Sequence, residues 1–370
     1  MDKMTYEDTG VDYDLMDPFK RKCQIAARET AKNIERLGFR EVEKSRGESA
    51  YLMEGNIEGP FKLAHVIEGL GTKNLVADIM YQLTGKSYYD QIAQDTVAMN
   101  VNDIITLGTL PLSVAMHLAV GDSDWFSDRK RSDDLIEGWK NSCMMARCVW
   151  SGGETPTLKD EVNPKTCILS GSANGIILKE KNHLEGSKIR SGDVIVLIGS
   201  SGIHANGLTL ARNIAEKISD GYLTKLSDGR KYGEALLDPT VIYVSLIENC
   251  FKAGVDIHYA VNITGHGWRK LMRASEPFEY VIEKIPEPQP VFQAIQEYGP
   301  VGDKEAYANF NMGAGFALYL PEDQVKETLK IANNLGLKAI QAGHIRKSSR
   351  KKVIIKPKKL EYSQDSLQVR

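Results

Sequence analysis

Residues Phe61 to Lys73, FKLAHVIEGLGTK, form the stretch that decides the fold. Phe61 to Ile67 is a short apolar run typical of a buried strand, and it leads directly into the glycine-rich turn Glu68-Gly69-Leu70-Gly71-Thr72-Lys73. Glycines let backbone N–H groups approach an anion, and Thr and Lys add a hydroxyl and a positive charge suited to phosphate. The glutamate could hold a Mg²⁺ that bridges phosphate oxygens. Taken alone, the pattern is better explained as a tight structural turn.

The composition around this stretch excludes several classes of protein. The 370 residues predict two domains at about 150 residues each. Lys and Arg total 47 against 49 Asp and Glu, and this near-balance argues against a chain that coats nucleic acid. No apolar run approaches the roughly 20 residues of a membrane span, and the polar start shows no secretory signal. Five scattered cysteines without a C-x-x-C pair read as reduced core residues, so we expect a cytoplasmic protein.

Strand and helix patterns follow one another without strict alternation, which predicts an α+β protein rather than a doubly wound sheet. Asp17-Pro18 is typical of a helix start and Gly38 of its end. The charged, glycine-containing stretch Lys179 to Gly192 is the expected boundary between domains over residues 1–180 and 181–370.

Two other polar segments are given structural interpretations. Lys44 to Pro60 holds three glycines and predicts a mobile loop with a short strand at Tyr51 to Met53. The basic end, Arg346 to Lys359, is best explained as a solvated edge strand and tail, because the rest of the chain is balanced in charge.

Two further segments in the first half, a predicted helix and a predicted turn, carry polar side chains among apolar or glycine residues. Asp95, Asn102 and Asp103 interrupt an apolar helix pattern. Burying such groups is costly unless they have partners, so they form either a satisfied hydrogen-bond network or part of a ligand site. Ser151-Gly152-Gly153-Glu154-Thr155 holds a carboxylate on a double-glycine turn, which suits Mg²⁺ or an amine.

The second half repeats this combination of glycines and polar side chains. Gly199-Ser200-Ser201-Gly202-Ile203-His204-Ala205-Asn206-Gly207 links a strand to a helix and is a candidate anion nest. His204 could donate to phosphate, move a proton or cap the helix. Thr264-Gly265-His266-Gly267-Trp268 and Asn311-Met312-Gly313-Ala314-Gly315 are smaller turns of similar character.

Common nucleotide motifs fail on this sequence. Gly85-Lys86-Ser87 looks like the end of a Walker A loop, but Met80 occupies the place of its first glycine and a helix-like segment precedes it. Gly69-x-Gly71 lacks the later glycine of a dinucleotide fingerprint. No Ser-His-Asp or Cys-His arrangement is supported beyond the mere presence of those residue types.

In order and spacing, the glycine-rich turns resemble the family of aminoimidazole ribonucleotide synthetase, the phosphoribosylformylglycinamidine cyclo-ligase of purine biosynthesis. The resemblance starts at Tyr6-Glu7-Asp8-Thr9-Gly10-Val11-Asp12 and extends to about residue 345. It also includes Leu236-Leu237-x-Pro239-Thr240-x-Ile242-Tyr243-Val244 and Phe310-Asn311-x-Gly313-x-Gly315. The ordered set is specific, although each piece is not.

The resemblance implies a two-domain α+β fold of the family's own type, with mixed and antiparallel sheets, packed helices in each domain and no P-loop. The N-terminal domain would bind ATP and form a homodimer, and the C-terminal domain would complete the substrate cleft. The implied reaction is ATP-dependent closure of formylglycinamidine ribonucleotide to aminoimidazole ribonucleotide through an iminophosphate, with Mg²⁺ and with release of ADP and phosphate. Neither a nucleic acid nor a membrane partner is expected.

The resemblance also implies roles for individual residues. The catalytic residues would be His204, Lys73 and Asp95, and the ligands of Mg²⁺ would be Glu68 and Asp95. Contacts to ATP or its phosphates would come from Gly69, Gly71, Thr72, Lys73 and Asp103. Contacts to substrate would come from Gly153, Glu154, Thr155, Ser200, Ser201, Asn206, Thr264 and Asn311, with Asn262 lining the same cleft.

Four departures from the family pattern keep other functions open. Glu68 replaces an Asp, and Lys44 to Pro60 lacks the usual glycine-rich segment containing Phe. Pro156-Thr157-Leu158 replaces Met-Pro-Gly, and His266 replaces a glycine. The alternatives are a paralogous ATP-dependent phosphoryl-transfer enzyme with another substrate and a catalytically idle nucleotide-binding homologue. A selenophosphate synthetase is disfavoured, because Cys23 lies within the first predicted helix.

Overall fold

The computed structural model describes residues 10–47 and 50–367, so most of the motif Tyr6 to Asp12 lies outside the described residues. The chain divides into two compact units. Unit 1 comprises Met1–Ile104 and Pro111–Ile176, and unit 2 comprises Ile105–Leu110 and Ile177–Arg370. None of the helices within the described residues is long and apolar enough to cross a bilayer.

Unit 1 is built on a four-stranded sheet with the strand order β3-β6-β4-β5, in which β4 and β5 are parallel. A separate antiparallel pair joins β1 to β2. The helices of this part are α1 (Tyr13–Arg28), α2 (Lys73–Thr84), α3 (Tyr89–Ile105) and α4 (Arg129–Met145). The strands are β1 (Phe39–Glu41), β2 (Met53–Gly55), β3 (Lys62–Gly69), β4 (Leu110–Val120), β5 (Val149–Glu154) and β6 (Cys167–Ile177).

The core of unit 1 lies between the sheet and its helices. α1 and α4 pack against each other and against β5. Trp139 on α4 and Trp150 on β5 are fully buried, with ring centroids 5.9 Å apart. A Cβ at Gly171 in β6 would lie 2.7 Å from the Asn100 side chain, so this glycine permits the close approach of α3.

Three predicted elements of unit 1 differ from the structure. β3 is an edge strand and not a buried one, because Leu63 and Ile67 are 66% and 68% exposed. α1 begins at Tyr13, where the Asp12 carboxylate caps its first turn, and Pro18 lies inside the helix. Gly38 ends a separate 3₁₀ helix, and the short strand expected at 51–53 is displaced to β2.

Unit 2 contains a seven-stranded sheet with the order β13-β12-β9-β11-β7-β10-β8. All its pairings are antiparallel except that of β12 with β9. The helices are α5 (Leu208–Ala215), α6 (Tyr232–Leu236), α7 (Val244–Lys252), α8 (Pro290–Tyr298), α9 (Asp303–Asn309) and α10 (Val325–Asn334). The strands are β7 (Val194–Gly199), β8 (Tyr259–Asn262), β9 (Phe278–Ile282), β10 (Ala314–Leu320), β11 (Ala339–Lys347), β12 (Lys352–Ile355) and β13 (Leu360–Ser363).

The buried strand β7 lies inside this sheet, and α10 packs against it and β11. The prediction that the basic end forms an edge strand is wrong. Its strand β12 is not at the sheet edge, because β13 pairs with the outer side of β12. Its charges are matched to acids: Lys352 pairs with Glu361, and Lys356 pairs with Glu283. The helix predicted before Gly85 is confirmed, since this glycine ends α2 in a left-handed conformation.

Candidate active site

The turn that follows β3 delivers Lys73 into the interior of unit 1. Lys73 is the first residue of α2, and its Nζ lies 2.8 Å from Oδ2 of Asp95 on α3. Both side chains are 0% exposed. The structure therefore brings these two predicted residues together as a closed, buried ion pair. Such a pair is tolerated because each charge compensates the lost hydration of the other.

The rest of that turn remains open to solvent. Gly69 and Gly71 are exposed, and a Cβ built on either would meet no heavy atom within 4 Å. Thr72 is the N-cap residue of α2, so the N-terminus of this helix lies at the turn. Open backbone at a helix N-terminus suits a phosphate group. Glu68 and Asp103 are half-buried.

A cavity of about 290 Å³ lies beside the end of β5 in unit 1. Gly153, Glu154 and Thr155, three of the predicted substrate residues, line it. Glu68, Lys73 and Asp95 do not line it. Its other walls come from α1, from the segment before β2, and from β4 and β5. They are lined by Lys20, Cys23, Gln24, Ala27, Ser45, Arg46, Gly47, Ala50, Tyr51, Met116, Trp150, Ser151 and Gly152.

One wall of this cavity is an ion-pair cluster that sequence analysis missed. The Arg46 guanidinium donates to the Glu41 carboxylate, with Nε 3.1 Å from Oε1, and to the Trp150 carbonyl at 3.2 Å. The Tyr51 hydroxyl donates to Glu41 at 2.9 Å. Burial alone raises the pKa of Glu41, but the hydrogen bonds from Arg46 and Tyr51 outweigh it and hold that pKa below its usual value. No spacing rule marks such a cluster in a polar loop sequence.

In unit 2, Asn311 joins two of the predicted turns. Its Oδ1 accepts hydrogen bonds from the Ser200 hydroxyl at 2.8 Å and from the Gly313 N–H at 3.0 Å. Its Nδ2 donates to the Gly202 carbonyl at 2.8 Å. The Asn311 side chain is thus buried and used on both sides, and it fixes the shape of the Ser200 turn.

His204 occupies a constrained place in the same turn. Its backbone is left-handed at φ 61°, and the residue is 2% exposed. The Ser201 N–H donates to its Nε2 at 3.3 Å, so this nitrogen acts as an acceptor. The Ser201 hydroxyl donates to the Pro239 carbonyl. In this conformation both side chains shape the turn.

The turn at Thr264 reaches the same cluster. A Cβ on Gly265 would lie 3.4 Å from Oδ1 of Asn206, and the Trp268 indole donates to the Asn311 carbonyl at 2.7 Å. Thr264 accepts a hydrogen bond from Lys270. Ser200, Ser201, His204, Asn206, Thr264 and Asn311 therefore belong to one turn cluster, named here by those six residues.

Gly315 leaves the space that this cluster needs. A Cβ there would lie 2.1 Å from the Tyr243 hydroxyl and 2.6 Å from Cε1 of His204. We expect Gly315→Ala to lower the free energy of unfolding by about 1–3 kcal/mol through overpacking. Urea denaturation measures the change. Gly302→Ser is the control, because that N-cap position is open and favours Ser; an equal loss in both variants would contradict the assignment.

Two family models match the chain. "AIR synthase related protein, N-terminal domain" matches residues 47–177, and "AIR synthase related protein, C-terminal domain" matches residues 190–356. The chain is 32% identical over 345 residues to the phosphoribosylformylglycinamidine cyclo-ligase of Methanocaldococcus jannaschii, covering 92% of each protein. It belongs to the phosphoribosylformylglycinamidine cyclo-ligase family. The cyclo-ligase of Carboxydothermus hydrogenoformans is 33% identical, covering 96% of this chain and 99% of that protein.

Solved structures outside the cyclo-ligase family share its fold. Thiamine-monophosphate kinase from Stenotrophomonas maltophilia K279a matches with a TM-score of 0.60 at 19% identity, over 88% of this chain and 94% of that one. The hydrogenase maturation protein HypE in complex with ATP gives 0.57 at 14% identity, over 86% and 88% of the chains. At such identities the likeness concerns the fold alone, and it confirms the expected α+β architecture.

The described residues do not form a metal site from protein side chains alone. Within residues 10–47 and 50–367, no three His, Cys, Asp or Glu side chains are grouped to hold a metal ion. Of the two predicted ligands, Asp95 is enclosed with Lys73, whereas Glu68 is half-buried at the end of β3. Glu68 therefore fits a metal that is held mainly by another ligand's oxygens, which is the usual state of Mg²⁺ on a nucleotide.

Proposed function

We propose that the protein catalyses the ATP-dependent closure of formylglycinamidine ribonucleotide to aminoimidazole ribonucleotide, a C–N bond-forming step of purine biosynthesis. The observation that carries this proposal is the identity of about one third to named cyclo-ligases across nearly the full length of both chains. Phosphate-type turns in each unit support it. Because its reactants are metabolites of the cell interior, we place the enzyme in the cytoplasm.

The reaction needs no nucleophile from the protein. The formyl oxygen of the substrate attacks the γ-phosphorus of ATP, and ADP leaves. The substrate's own amine nitrogen then attacks the activated carbon of the iminophosphate, and phosphate departs with the former formyl oxygen. The protein must align these groups and stabilise developing negative charge. The open turns and polar clusters of the protein are suited to that task, which requires no catalytic triad.

The exposed turn of unit 1 is the proposed site of the ATP phosphates. Gly69, Gly71 and Thr72 offer backbone N–H groups at the start of α2. Glu68, with Asp103 as a weaker candidate, would hold Mg²⁺ together with phosphate oxygens. The ion would supply charge neutralisation on the transferred phosphoryl group.

Lys73 and Asp95 are not exposed to a ligand in this conformation, unlike Gly69 and Gly71. As a closed pair they fix the first turn of α2 against α3. Direct contact of Lys73 with a phosphate, or of Asp95 with Mg²⁺, requires the pair to separate. Their catalytic role is therefore proposed as positioning in this conformation.

Each unit carries its own set of proposed substrate contacts, at the end of β5 in unit 1 and in the turn cluster of unit 2. Glu154 is exposed beside the cavity of about 290 Å³, where its carboxylate can orient an amine, and Gly153 and Thr155 flank it. In the turn cluster, Ser200, Asn206 and Thr264 supply polar groups, and Asn311 acts by holding the Ser200 turn in shape. We assign proton transfer to His204, whose ring is held by the Ser201 N–H.

A product assay tests the proposal. The purified protein is incubated with formylglycinamidine ribonucleotide, ATP and Mg²⁺, and aminoimidazole ribonucleotide is measured beside ADP. We expect one ADP for each ring closed, and no product without ATP. ATP consumption without ring closure would instead indicate a phosphoryl-transfer paralogue. An ATP-dependent thermal shift without any turnover would indicate an idle nucleotide-binding homologue.

We also propose that the protein is a homodimer that pairs the open faces of the unit 1 sheets. Leu63 and Ile67 share one face of β3 with His65, whose Nδ1 lies 3.0 Å from Asn174 on β6. The alternation along β6 puts Ile168 on that face too, and it is 52% exposed. An apolar face on an edge strand is a typical interaction surface.

Leu63→Lys combined with Ile67→Lys tests the dimer. Burying two new charges in the interface is unfavourable, so we expect sedimentation to change from a dimer to a monomer. Leu83→Lys is the matched control, because Leu83 is also exposed, at 51%, but lies on α2. A monomeric starting protein, or a double variant that still dimerises, would contradict the proposed interface.

A further inference from the structure

The turn cluster of unit 2 is bordered by a residue in an unfavourable backbone conformation. His266 has φ 70° and ψ 4°, the left-handed region that favours glycine. Its side chain is exposed, so burial of the imidazole does not offset the strain. Residues held in this way concentrate at ligand sites, where the side chain has a use that the fold itself does not provide.

The position of His266 links this strain to the turn cluster. Its neighbour Gly265 lies against Asn206, since a Cβ there would be 3.4 Å from Oδ1 of that residue. On the other side, Trp268 donates to the Asn311 carbonyl at 2.7 Å. The imidazole therefore belongs to a turn that contacts Asn206 at one end and Asn311 at the other.

Two arginines near His266, Arg269 and Arg273, form no ion pair with a carboxylate of the described residues. Arg269 donates to the carbonyls of His266, Ala308 and Ser366 and to the amide oxygen of Asn309, all of them uncharged. Arg273 is exposed, and no carboxylate of the described residues pairs with it. Partial desolvation of the exposed ring, followed by the charges of Arg269, Lys270 and Arg273, lowers the pKa of His266. A neutral imidazole in a positive field is a hydrogen-bond donor suited to an anion.

We propose that His266 is a specificity-determining residue that binds the phosphate monoester of the small-molecule substrate, assisted by the positive charge of Arg273. The inference deepens the proposed function and rests on it for the class of ligand. It also gives a use to the residue at which this chain departs from the glycine of the family pattern. A phosphate monoester would gain a donor from the imidazole and a favourable potential from the unmatched guanidinium groups.

Binding of ribose 5-phosphate to the full-length protein, measured by calorimetry, tests this subsite without turnover. We expect His266→Gly to weaken binding at least tenfold and to raise the melting temperature, because glycine accepts the left-handed backbone. Lys359→Gly is the matched control for strain relief: its φ is 54°, so it should also raise the melting temperature but leave binding unchanged. Arg273→Gln should weaken binding severalfold, whereas Lys326→Gln on α10 should not.

The outcomes separate this inference from the proposed function. Failure of the native protein to bind ribose 5-phosphate, equal binding of neutral ribose, or unchanged binding by His266→Gly would each overturn the subsite. Binding that depends on His266 in a protein that makes no aminoimidazole ribonucleotide would support the subsite and remove the cyclo-ligase proposal.

Discussion

Replacing Lys73 by Ala should lower the free energy of unfolding by about 3–5 kcal/mol, because the buried Asp95 carboxylate would lose the compensating charge of Lys73. The two side chains are 0% exposed and their charged atoms are 2.8 Å apart. The loss should appear in urea denaturation as a lower midpoint with an unchanged slope. A Lys73→Ala protein as stable as the native one would contradict the closed ion pair.

A double variant separates the structural role of this pair from contact with ATP. Lys73→Met combined with Asp95→Leu removes both charges and keeps most of the volume, so we expect most of the lost stability to return. If the pair only positions the turn, ATP binding measured by calorimetry should be largely retained. Loss of ATP binding in the restored protein would show that the charges touch the nucleotide, and would contradict the positioning role.

Replacing Asn311 by Ala should lower kcat/KM for ring closure by at least about 100-fold, because small displacements of positioning groups have effects of that size. The change removes three hydrogen bonds that shape the Ser200 turn. It also leaves the Gly202 carbonyl and the Gly313 N–H without that partner, so the free energy of unfolding should fall by about 1–3 kcal/mol.

Steady-state kinetics and urea denaturation measure the two effects on the same preparations. Asn333→Ala is the control, since Asn333 is exposed on α10, and neither quantity should change appreciably. An Asn311→Ala protein with native kcat/KM would contradict the placement of the substrate at the turn cluster. ATP affinity should remain close to native in both variants, because the proposed phosphate turn lies in unit 1.

The family and fold class could be predicted from the sequence because their signals are local. Glycines with polar neighbours at strand ends mark turns wherever the strands themselves lie, and the turns after β3 and β7 follow this rule. The turn predicted at Ser151 to Glu154 is wrong, because these residues belong to strand β5. The assignment of Lys73 and Asp95 illustrates the limit. Both were named from their motifs, but residues 22 positions apart in sequence show neither that they touch nor that they are buried.

Exposure and long-range pairing were the features that sequence could not supply. The apolar run Phe61 to Ile67 reads the same in a buried strand and in an edge strand with an apolar open face. β3 is of the second kind. Asp17-Pro18 predicted the start of α1, but the structure starts the helix at Tyr13, where the Asp12 carboxylate caps it. The cluster of Glu41, Arg46 and Tyr51 depends on a chain path that no motif describes.

The most direct measurement of the central claim follows an oxygen atom through the reaction. Formylglycinamidine ribonucleotide labelled with ¹⁸O in its formyl group is incubated with the protein, ATP and Mg²⁺, and the released phosphate is analysed by mass spectrometry. We predict one ¹⁸O in each phosphate, formed together with one aminoimidazole ribonucleotide. Unlabelled phosphate would contradict the account, because it would mean that ATP is hydrolysed without activating the formyl oxygen.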